Sequence, residues 1–93
     1  MAQASSNNSE VYDEWRDRLI DYFINLTADF IRLQINMNRS VIKDPERVAR
    51  ALILMNNGLS NDNTLRPEPD DPREIGKISA DIWNAAIYGK TSW

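Results

Sequence analysis

The chain contains neither cysteine nor histidine. Without cysteine there is no disulfide and no thiolate chemistry; without histidine the usual general base and the commonest metal-ligand sets are missing. A serine or aspartate mechanism would need an orienting group that no motif here supplies, so the residues argue against an enzyme, and no cofactor is implied. Glycine and proline are scarce, at three and four in 93 residues, which argues against a disordered or all-β chain. Positive charge is in the minority, 11 Lys and Arg against 14 Asp and Glu. A net charge of −3 opposes the phosphate backbone as a partner, because nonspecific nucleic-acid affinity comes from clustered cations releasing counterions. No uncharged apolar run approaches the roughly 18 residues of a membrane span. The opening MAQASSNNSE has neither the basic nor the apolar part of an export signal, so a cytoplasmic protein with no membrane partner is expected.

What the chain does have is helical periodicity. With 42% hydrophobic and 27% charged residues it is composed like one small soluble domain, and the expected class is all-α. Residues 1–8 are small and polar and are expected to be a flexible segment, with Asn8 or Ser9 capping a first helix over about 9–36. Along it Tyr12, Trp15, Leu19, Tyr22, Leu26, Phe30, Leu33 and Met37 step by three or four. Ile20, Ile24, Thr27, Ile31 and Ile35 make an adjoining stripe, and the row Asp13, Asp17, Asp21 reads as a solvated face.

Asp44 and Pro45 carry the clearest start signal: a carboxylate to accept the first orphan N–H groups, then a residue with no N–H to orphan. The second helix is expected over about 45–65, with a weakened turn near Gly58. Val48, Leu52, Met55 and Leu59 form one face, Ala51 and Leu54 widen it, and Ala49 and Ile53 make a second, so burial on nearly every side is expected. Asn56 lies beside Met55 and either faces solvent or places one amide among hydrocarbon. The loop Arg66–Asp70 has two prolines and no apolar residue, and Asp71, Pro72 and Glu74 open a third helix over about 72–88 that ends at Gly89. Ile75, Ile78, Ile82 and Ala85 share its seam. Short loops make the three helices antiparallel neighbours. Each offers about one and a half apolar stripes where a closed bundle needs one, so apolar surface should be left over.

Two segments, VARALILMNN at Val48–Asn57 and DIWNAAIYGK at Asp81–Lys90, resemble the last two helices of TetR-family transcriptional regulators, particularly the actinobacterial ethionamide-repressor branch. The first helix, with its acidic start and Trp15, looks like the preceding helix of that domain. The resemblance implies a C-terminal ligand-binding and dimerisation domain over residues 9–93, with no helix-turn-helix segment in this chain. DNA would be reached only through that absent domain. Met1 falls where the family has an internal loop or helix end, which implies a fragment or a truncated form. The last two helices would pair with their copies as a four-helix bundle, placing Leu52, Met55, Ile75, Ile78, Ile82, Ala85 and Ala86 at a homodimer interface. A small apolar or amphipathic effector would be held by Trp15, Leu19, Tyr22, Asn56 and Trp83. Ile53 stands where the branch has a second asparagine, which makes the pocket less polar. The alternative reading is a free-standing helical homodimeric interaction protein, or an inhibitor of a full-length regulator.

Overall fold

A computed structural model describes the backbone of residues 2–89 and the side chains of residues 10–89. Among the described residues there are three α-helices: α1 Ala2–Asn36, α2 Pro45–Leu65 and α3 Pro72–Tyr88. Among the described residues there is no strand. The second and third helices begin and end where their sequence signals put them. The first differs: its backbone is already helical at Ala2, so the flexible segment expected over 1–8 is helical from its second residue. Extending an existing helix by a residue is far easier than nucleating one, and alanine, glutamine and serine do not stop it. The capping role expected of Asn8 or Ser9 falls on side chains outside the described residues.

The helix ends follow from local chemistry. Asn38 has φ of 60°, the left-handed conformation that asparagine tolerates better than other side-chain-bearing residues. With the chain so turned, Arg39 N–H donates to the Gln34 carbonyl at 2.8 Å and Asn38 N–H to Ile35 at 3.0 Å, the paired closure of a Schellman end. The Asp44 carboxylate accepts from Arg47 N–H at 3.1 Å to open α2, and Asp71 accepts from Arg73 N–H at 2.9 Å to open α3. Gly58 does not interrupt α2. The α2–α3 loop is tied by a reciprocal pair, Asn63 Nδ2 to the Asp70 carbonyl at 2.9 Å and Asp70 N–H to Asn63 Oδ1 at 2.8 Å. Gly89 ends α3 in an extended conformation, and a Cβ there would collide with the Ala85 carbonyl oxygen.

Contacts run in opposite senses along neighbouring helices. Arg32 near the end of α1 bonds Glu46 at the start of α2, at 2.7 Å, while Asn56, midway along α2, accepts from Trp83 in the second half of α3. Neighbours in sequence are therefore antiparallel. The core is small: Ile24, Ala28 and Ile31 from α1, Ala49 and Leu52 from α2, and Ile87 from α3. Of the two apolar stripes on α1, the chain buries the isoleucine stripe and leaves the stripe from Tyr12 to Met37 exposed. The all-round burial expected of α2 does not occur, since Ala51 and Leu54 are exposed where no third layer covers them. The radius of gyration of 16.6 Å exceeds the roughly 12 Å of a compact chain of this length. Three helices in an open row cannot enclose all the hydrocarbon they carry.

Three polar residues, Thr27, Gln34 and Ser40, are buried, and one of them has an unpartnered atom. Gln34 is only 5% exposed, and its Oε1 has no partner among the described residues, a deficit worth on the order of 1 to 3 kcal/mol. Gln34→Met should therefore raise stability by about 1 kcal/mol or more in urea unfolding followed by circular dichroism. In the same assay Ile31→Ala, at a site with no exposure, should cost about 2 to 4 kcal/mol, and Leu65→Ala, at 84% exposure, should change little.

Candidate functional site

A hollow of about 560 Å³ opens between the first half of α1 and the second half of α2. Its α1 wall is Tyr12, Trp15, Leu19 and Phe23; its α2 wall is Ile53, with the amides of Asn56 and Asn57 at the edge. Arg16 joins at the rim, 3.6 Å from the Asp13 carboxylate. The lining is thus hydrocarbon and aromatic ring with two amides, a phenol and a guanidinium. Such a set offers apolar contact and directed hydrogen bonds.

Three of the residues expected to hold an effector, Trp15, Leu19 and Asn56, meet in this hollow. Tyr22 does not: it is 61% exposed and lies edge-on to Phe23, with centroids 5.7 Å apart. A heptad falls about 20° short of two full turns, so seven residues beyond Trp15 the stripe has rotated away from α2, and Phe23 takes the inward position. Phe23 was missed because the three-and-four stepping selects Tyr22; the four-residue row Trp15, Leu19, Phe23 would have found it.

Trp83 also lies outside this hollow. It lines a second one of about 670 Å³ between α2 and α3, with Phe30 of α1 at its edge. The two hollows share Asn56, which borders both. Asn56 Oδ1 accepts from Trp83 Nε1 at 3.2 Å and from the Ser79 hydroxyl. An indole N–H can only donate, so the atom facing it must be the amide oxygen, and the NH₂ group is turned elsewhere. Of the two possibilities open for Asn56, the chain realises the half-buried, hydrogen-bonded one. Because the oxygen is already engaged twice, what remains for a bound molecule is a donor. Ser79 is not among the residues expected to hold an effector, but its spacing of four from Trp83 puts both on one face of α3.

The residues assigned to pairing between copies separate into groups. Leu52 is buried in the chain's own core, because Ile87 and the isoleucine stripe of α1 close over it, and so is removed from any outer seam. Met55 and Ile75 are half-buried within the chain, while Ile78, Ile82, Ala85 and Ala86 are exposed on α3. Among the described residues no acidic or histidine cluster is placed to hold a metal ion, and no helix is long and apolar enough to cross a membrane.

Comparison with protein-family models, curated proteins and solved structures yields no match to this chain. The TetR resemblance accordingly rests on the sequence segments of the three helices alone.

The engagement of Asn56 gives a direct test. Asn56→Leu keeps the volume but strips the acceptor from Trp83 and Ser79, so α3 should loosen while the α1–α2 pair persists. Amide hydrogen exchange should accelerate across α3 by about tenfold or more, with α1 protection near Ile31 unchanged.

Proposed function

We propose that this chain is the effector-binding and dimerisation portion of a TetR-type transcriptional regulator. The observation that carries the effector half is the Trp15–Leu19–Phe23–Ile53 hollow, which ends on an amide whose oxygen is occupied and whose NH₂ is available. An apolar molecule carrying one hydrogen-bond acceptor, such as a ketone, ester or amide on a medium-length chain, fits that combination. A second copy would pair through the exposed α3 face of Ile78, Ile82, Ala85 and Ala86. Effector binding at Asn56, which also anchors α3, would then bias the seating of the pairing helix. Its differential affinity for the two seatings would set the size of the switch.

The uncovered stripe of α1 favours a second reading, a helical interaction protein whose function lies in that surface. Titration separates the two. If the first reading holds, a medium-chain alkyl ketone shifts tryptophan emission saturably, and Trp15→Ala weakens its binding about tenfold or more while the sedimentation-derived mass stays that of the parent. An alkane of equal length should bind more weakly, since it leaves the amide donors unanswered. No saturable response to either compound would eliminate the effector reading.

A further inference from the structure

The hollow between α1 and α2 has a polar end and an apolar end. The two helices run antiparallel, so the early part of the α1 wall lies across from the late part of the α2 wall. Tyr12 and Arg16 therefore stand on the side of Asn56 and Asn57, while Phe23 stands on the side of Ile53, with Leu19 between. A gradient of this kind fits a molecule with one polar head and one apolar tail, laid in one direction.

The head is defined by what the polar end offers. Arg16 carries the only charge on the lining of this hollow. A guanidinium donates and never accepts, in a planar fork that matches the two oxygens of a carboxylate. The counter-charge beside it, Asp13, sits 3.6 Å away, longer than a hydrogen bond, with the two side chains 50% and 57% exposed. Such a pair is loose and screened by water, so it leaves the fork open to a better acceptor. The other acids of this half of α1, Glu10, Glu14, Asp17 and Asp21, fall on the side of the helix turned away from the hollow. Nearby, the Asn56 oxygen is engaged by Trp83 and Ser79 and its NH₂ remains as a donor, and Asn57 is half-buried at the same edge.

A neutral head would answer the amides and leave the guanidinium to a long ion pair. We infer that the effector is a medium-chain carboxylate, its head held by Arg16 with the asparagine amides and its tail lying along Leu19, Phe23 and Ile53. This rests on the reading that the hollow binds an effector, and adds the charge of that effector and the direction in which it lies.

The test compares decanoate with methyl decanoate, which keeps the chain and removes the charge, by tryptophan emission at low ionic strength. Decanoate should bind about fivefold or more tightly, and the advantage should shrink in 1 M salt. Arg16→Gln should bring decanoate to the affinity of the ester or below it. Asp13→Asn should do the opposite and tighten decanoate, because it removes the competitor for the fork. Both positions are at least half exposed, so unchanged helicity by circular dichroism separates these effects from misfolding. Saturable binding of the ester with no advantage for decanoate would overturn the anionic head and leave the effector reading standing. An advantage that survives Arg16→Gln, or that Asp13→Asn does not enlarge, would overturn the role of Arg16. No saturable binding of either compound would remove the effector reading and this inference with it.

Discussion

The placement of α3 depends on the amide oxygen of Asn56. Ile87 alone among the α3 side chains is fully buried, and Trp83 is only half-covered, so hydrocarbon contact by itself holds the third helix loosely. The two hydrogen bonds accepted by Asn56, from Trp83 and Ser79, add direction where the apolar effect is non-directional. They fix the register of α3 against α2 and settle which way the amide faces. The same amide borders the hollow on the α1 side, so the contact that seats the helix also occupies the amide oxygen at the hollow's edge.

Electrostatics contributes little beyond this. The ion pairs lie on exposed side chains, most of them three or four residues apart on one helix, where each is worth a few tenths of a kcal/mol and is screened by salt. Arg32 is different in reach, joining Asp29 on its own helix and Glu46 across the hairpin, which pins the α1–α2 turn without being buried. The cohesion of the chain therefore comes from the six-residue core and from the caps that end each helix cleanly.

That core is small against the hydrophobic content. A chain of three helices can cover one stripe on each, and the remainder, on α1 above all, stays at the surface. A contiguous row of Tyr, Trp, Leu, Phe and Met along one helix is far larger than the scattered apolar residues of an ordinary surface. The open hollow and the open stripe share residues, since Tyr12, Trp15 and Leu19 belong to both. Anything laid over that end of the stripe would therefore also cover part of the hollow.

Much of the architecture was legible from local signals. Asp44–Pro45, Asp71–Pro72, Asn38 and Gly89 each act through their own backbone and near neighbours, so helix number, order and most boundaries could be read without tertiary information. The start of α1 could not, because residues 2–9 carry no stop signal and only weak preferences. Of the candidate site, the sequence carried Trp15, Leu19 and the ambiguity of Asn56; it could not choose between Tyr22 and Phe23, or place Trp83. Periodicity reports that a helix has apolar faces, and both stripes of α1 satisfy it equally. Which stripe meets α2, which way the amide turns and which hydrocarbon is left uncovered depend on the angle at which one helix lies across another. That angle is set by contacts between residues far apart in the chain, and only the tertiary structure decided it.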